Sequence, residues 1–194
     1  MISRKMQSIG KPVSLEKNFK KSAAILVSNE ALTALNWFRI QAGPGEKPGI
    51  DYNDVVRWLY DALYKKNVEC DFVWPESENL SKYKAIFVPA LYAVPDETLK
   101  RLNRYAEEGG TLVVTFKSGF ANEYVKVHSD VQPHILREAL GVRYDQFTFP
   151  KHVGLKSTFG GGQARIFMEL VQTEGAEVLA AYDLPAWGVK IIEE

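Results

Sequence analysis

Apolar residues follow two patterns in this chain: short unbroken runs, and longer stretches spaced at three and four. Ala23 to Ser28, AAILVS, is an unbroken run of the kind found in strands buried on both faces. Lys84 to Ala90 (KAIFVPA) and Thr111 to Thr115 (TLVVT) repeat it, and Val68 to Trp74 alternates as a strand until Pro75 stops it. Between these runs Tyr52, Val55, Val56, Leu59 and Leu63 recur at helical spacing, ending near Lys65-Lys66-Asn67. Pro95-Asp96-Glu97 opens a second helix with acidic residues where the helix dipole favours them. Leu99, Leu102, Tyr105 and Ala106 supply its buried face, and Gly109 is its predicted C-cap. A further helix is expected around Pro133 to Leu140, closed by Gly141. Past Tyr144 the pattern weakens to strands near Ala164–Leu170 and Val178–Tyr182, and Gln41 to Gly49 (QAGPGEKPG) is too broken for regular structure.

Strand, helix, strand, strand, helix, strand is the alternation of a doubly wound α/β fold, a parallel sheet with helices on both faces. Such folds carry ligands at the carboxyl ends of their strands. The search for chemistry therefore narrows to Ser28–Glu30, Trp74–Glu76, Ala90–Tyr92 and Thr115–Gly119.

Little at those places has the form of a catalytic site. A nucleophile elbow needs Ser or Cys on a tight turn between small neighbours, and Thr115-Phe116-Lys117 offers a large ring and a long cation instead. The expectation is a loop that packs Phe116 and exposes Lys117. Ser118-Gly119 follows without a G-x-S-x-G frame, and Cys70 sits between Glu69 and Asp71, where negative neighbours raise a thiol pKa. His128, His134 and His152 show no metal-ligand spacing, so they read as solvated loop or cap residues, and a metal site would need a tertiary coincidence. Gly160-Gly161-Gly162 lacks the strand-to-helix context of a dinucleotide or phosphate loop, and Glu30 argues against flavin phosphate after the first strand. No cofactor and no metal is expected. Glu107-Glu108, Glu76 with Glu78, and Glu193-Glu194 are not placed to face each other across a sugar.

Aromatic residues gather near the predicted carboxyl edge: Trp37, Phe38, Trp74, Tyr92, Phe116, Phe120 and Tyr124. They can cap the core or form a contact surface, and the two readings are compatible. Trp37, Phe38, Trp74, Tyr92, Phe116 and Lys117 are the candidate subunit-interface residues.

Composition removes several classes. The 194 residues carry 24 basic and 24 acidic side chains, so no global field draws the chain to nucleic acid or anionic membrane. No apolar run approaches the ~20 residues needed to span a bilayer. The start, MISRKMQSIGKPVSLEKNFKK, is basic and polar without the apolar stretch of a secretory signal, so the expectation is a cytoplasmic or trimmed product. One cysteine excludes an internal disulfide and a multi-cysteine zinc site.

Three segments in order, LSKYKAIFVPAL, EEGGTLVVTFKSG and PHILREALGV, carry a family resemblance. With AAILVSNEAL ahead of them, they make roughly Ala23 to Tyr182 similar to the middle domain of glycoside hydrolase family forty-two β-galactosidases. The resemblance implies a flavodoxin-like, class I glutamine amidotransferase-like fold without catalytic residues of its own, following a (β/α)₈ barrel and assembling as a homotrimer. It also implies that related amidotransferase-like enzymes keep a cysteine where this chain has Thr115, Phe116 and Lys117. The barrel would hold both catalytic glutamates and the β-galactoside, and at about 250 residues it would exceed this whole chain. On this reading residues 1–21 are a linker or barrel remnant, and 22–194 are the trimerisation domain, truncated near its C-terminal end. A free-standing amidotransferase-like hydrolase using Cys70 or Ser118, and a small-molecule or sugar-binding module using the strand-end cleft, are the competing accounts.

Overall fold

The computed structural model describes residues 22–40, 49–150 and 152–184. Four strands, β1 (Ala23–Leu26), β2 (Cys70–Val73), β3 (Ala85–Val88) and β4 (Thr111–Val114), form an all-parallel sheet in the order β2-β1-β3-β4. Ala23 pairs with Cys70 on one side and Ala85 on the other, and Ala85 pairs in turn with Thr111. The central strand β1 is buried along its length, as its unbroken apolar run predicts.

Three helices complete the winding: α1 (Asn29–Trp37), α2 (Tyr52–Lys65) and α3 (Asp96–Glu107). Strand alternation sends Ala23 and Ile25 to one face, where Leu59 and Leu63 of α2 cover them. Ala24, Leu26, Ile86 and Val88 face the other way, into the larger core with Leu99, Leu102 and Tyr105 of α3. Burying Leu99 and Leu102 completely is worth about 2–3 kcal/mol each by transfer free energy. Local signals set the helix starts. Asp51 accepts from the Asp54 amide at 3.0 Å while the Asp54 carboxylate accepts from the Asp51 amide at 3.1 Å, a reciprocal cap on α2. The Ser28 hydroxyl accepts from the Ala31 amide at 3.0 Å and starts α1. Nothing in the hydrophobic pattern announces α1, because its buried residues are only Ala31, Ala34 and Leu35.

The helix expected around Pro133 to Leu140 is a 3-10 turn, His134–Leu136, running into a single α turn, α4 (Arg137–Leu140). Gly141 closes it in the left-handed conformation, as expected. Beyond lies an antiparallel appendage, where the sequence pattern offers only two weak strands. It begins with β5 (Val142–Arg143), β6 (Phe147–Thr148), β7 (Val153–Ser157) and β8 (Gly162–Ala164). It continues with β9 (Met168–Glu169), β10 (Gln172–Thr173) and β11 (Ala180–Asp183). β7 lies between β11 and β8, while β5 pairs with β10 and β6 with β9. The expectations for residues 1–21, for nearly all of the Gln41–Gly49 loop and for the last ten residues lie outside the described residues. Among the described residues no helix is long and apolar enough to cross a membrane.

Candidate functional site

The turn leaving β4 occupies the place where an α/β hydrolase would hold its nucleophile. Lys117 sits there with φ 58°, a left-handed conformation that costs a side-chain-bearing residue about 1–2 kcal/mol. The strain resembles that of a nucleophile elbow, but the chemistry differs. Lys117 is fully enclosed rather than exposed, which corrects the expectation from sequence. Its Nζ donates to the Arg39 carbonyl at 2.7 Å and lies 3.8 Å from the Phe38 ring centroid and 4.6 Å from that of Phe167. Carbonyl dipoles and ring faces thus replace water around the cation. Its backbone amide donates to Glu169 Oε1 at 2.7 Å.

Burial pushes the Lys117 ammonium down to about 7, with the Glu169 charge opposing the fall. Burial likewise raises the Glu169 carboxyl, with the Lys117 amide and charge pulling it back. A near-neutral lysine is the physics of a catalytic amine, yet this one has no solvent-accessible surface through which a substrate could reach it. Ser118 is equally committed. Its hydroxyl accepts from the Leu91 amide at 3.1 Å and donates to the Thr115 carbonyl at 2.9 Å. The Thr115 hydroxyl accepts from the Ala90 amide at 2.7 Å. Polar side chains here stitch the β3 and β4 exits together. Cys70 opens β2, at the amino end of the parallel sheet and so at the opposite edge from this turn. The nearby cleft lined by Thr115, Phe116, Tyr144 and Glu169 measures about 240 Å³, below the about 300 Å³ at which ligand pockets usually begin.

The candidate interface residues divide sharply. Trp37 is 88% exposed and Trp74 48% exposed. Tyr92 and Lys117 are buried inside the chain, so both are withdrawn as contact residues. Phe38 and Phe116 are half-buried in an aromatic cluster that closes the carboxyl edge of the sheet. In it Phe38 lies 5.5 Å from Tyr92 and 6.0 Å from both Phe120 and Phe147, and Phe116 lies 5.7 Å from Phe167. Core capping therefore accounts for Phe38, Tyr92, Phe116 and Phe120. A further exposed stack, which no local sequence pattern marks, joins Tyr60 with Tyr64 and Phe72 at centroid distances of 6.2 and 6.0 Å.

Two histidines also depart from expectation. His128 and His134 are not solvated: their side chains are 12% and 17% exposed, and the rings stack at 3.7 Å. Both Nε2 atoms approach Asp96 Oδ1, at the first turn of α3, at 3.8 and 3.5 Å. The tertiary fold, not sequence spacing, assembles this trio. Burial lowers the His128 imidazole below its ordinary value, and the neighbouring His134 adds to the fall.

A family model described as the beta-galactosidase trimerisation domain matches residues 10–188 of the chain. The chain is 33% identical over 150 residues to the beta-galactosidase BgaB of Geobacillus sp. (strain Y412MC61), covering 76% of this chain and 22% of that one. It superposes on the crystal structure of beta-galactosidase from Bacillus circulans sp. alkalophilus with a TM-score of 0.77 and 29% identity, over 87% of this chain and 25% of that one. A beta-galactosidase from the haloarchaeon Halorubrum lacusprofundi gives a TM-score of 0.75 and 26% identity over 84% and 24%. The chain thus spans about a fifth to a quarter of the length of these relatives.

Proposed function

Because the chain belongs to the β-galactosidase trimerisation domain family, we propose that it is the assembly module of a β-galactosidase and breaks no bond itself. Its parent hydrolyses terminal non-reducing β-D-galactose residues in β-galactosides, with two carboxylates acting by the retaining route in a separate barrel. The observation that carries the non-catalytic half is the filled strand-end turn: Lys117 enclosed by rings and carbonyls, and Ser118 with its hydroxyl fully engaged. A hydrolase reading built on Ser118 lacks a free hydroxyl, and one built on Cys70 sits at the wrong edge of the sheet.

In this reading three copies close a ring. Each contact is heterologous, with one patch of a subunit meeting a different patch of the next. Trp37 and Trp74 are the retained anchors, since large exposed aromatics dominate such contacts once desolvated. Trp37→Glu tests the patch cleanly, because a side chain 88% exposed can change without disturbing the core. Sedimentation velocity is expected to show the trimer giving way to smaller species in the variant. An unchanged distribution removes Trp37 from the interface.

A further inference from the structure

We propose that Asp96, His128 and His134 form a binding site for a divalent transition-metal ion of the zinc class. The three ligand atoms all lie within 4.8 Å of one another, and Asp96 Oδ1 is 3.5 Å from His134 Nε2 and 3.8 Å from His128 Nε2. Metal–ligand bonds of 2.0–2.2 Å in a tetrahedron place neighbouring ligand atoms about 3.4 Å apart, so two of the three edges are nearly set. Each of these atoms is shut off from solvent and has no hydrogen-bond partner. Three buried polar atoms facing one another unpaired carry a desolvation cost that a shared cation would remove.

The surroundings fit a metal site as well. His134 Nδ1 meets Asp130 Oδ2 at 2.7 Å, the carboxylate–histidine contact that fixes a ligating ring and leaves its Nε2 as the acceptor. Glu123 and Asp130 add negative charge near His128 without belonging to the ligand set. The rings are stacked with 13° between their planes, and each Nε2 faces Asp96 Oδ1. His134 is held by Asp130, so His128 is the ring that turns about its Cβ–Cγ bond to aim at the common point. Two imidazoles and one carboxylate select zinc, nickel or copper over magnesium and calcium, which prefer all-oxygen shells. Three protein ligands leave a fourth position for water. A bound ion would tie the start of α3 to the segment leading into the 3-10 turn.

The test is calorimetric titration of Zn²⁺ into the chelator-treated 194-residue chain. One ion per chain is expected, with Mg²⁺ giving no binding. His128→Ala and His134→Ala should each weaken binding at least about tenfold, and Asp130→Asn, a supporting contact, by about 10- to 100-fold. Circular dichroism checks that each variant is folded. Asp130→Asn carries the test if a ring deletion unfolds, since its side chain is 56% exposed. Absence of stoichiometric zinc binding by the folded wild type overturns the proposal, as does undiminished binding in the folded variants. The readout is ions bound per chain, so it stands or falls independently of subunit assembly.

Discussion

Replacing Lys117 by Met probes the most unusual electrostatic feature of the fold. Two effects compete at this ammonium: burial, which favours the neutral amine, and Glu169, which favours the charge. Burial wins because Glu169 Oε1 is engaged by the Lys117 backbone amide, while Nζ is met by carbonyls and rings. The fall from 10.5 to about 7 corresponds, at about 1.36 kcal/mol per pH unit, to a cost of roughly 4–5 kcal/mol for keeping the amine charged in the folded chain. The cost is present in full below pH 7 and is gone above the unfolded value. Between those limits the unfolded chain binds more protons, so stability rises with pH. From pH 7 to about 9.5 the rise contributed by Lys117 is about 3 kcal/mol. Higher pH is avoided because burial holds phenols such as Tyr52, at about 12, above their unfolded values, and their ionisation reverses the slope. Lys117→Met keeps an unbranched side chain of similar length and removes the titration. It leaves the Arg39 carbonyl without its donor, at a cost of about 1–3 kcal/mol that does not vary with pH. Urea unfolding of both proteins at half-unit pH steps reads the effect. Wild type should gain about 3 kcal/mol over that window relative to the variant. Parallel pH profiles would refute the enclosed, depressed lysine.

Two backbone features give independent checks. Gly119 has φ 72°, and a Cβ there would stand 2.7 Å from the Pro133 carbonyl oxygen; Gly119→Ala should therefore lower urea stability by about 2–4 kcal/mol, and a loss under 1 kcal/mol would contradict the close approach. Ser28→Ala removes the α1 cap and should cost about 1 kcal/mol, read as a lower melting temperature, whereas an unchanged melting point would mean that the cap contributes nothing.

The parallel frame is legible in the sequence because its strands are buried on both faces, which leaves unbroken runs such as AAILVS and TLVVT. Alternation with the α2 and α3 patterns then implies the doubly wound fold. Helix α1 escapes notice because small residues bury little area and leave no stripe. The fate of Lys117 is illegible for a different reason: its enclosure is built by Phe38, Arg39, Phe167 and Glu169, from segments about 50 to 80 positions away. Locally, a lysine in a polar turn reads as exposed. The signal that could have raised doubt is the crowd of aromatics around a lone cation in a chain whose strand ends otherwise lack chemistry. Asp96, His128 and His134 meet only through the docking of the loop before α4 onto α3, and no spacing rule encodes that meeting. The appendage after Gly141 is made mostly of strands two or three residues long, too short for alternation to register.

Assembly is the central claim, and the mass of the particle in solution tests it most directly. Sedimentation equilibrium of the purified chain over a concentration series should return three copies of the 21.9 kDa polypeptide, about 66 kDa. A mass that stays at 21.9 kDa throughout the series would contradict the account.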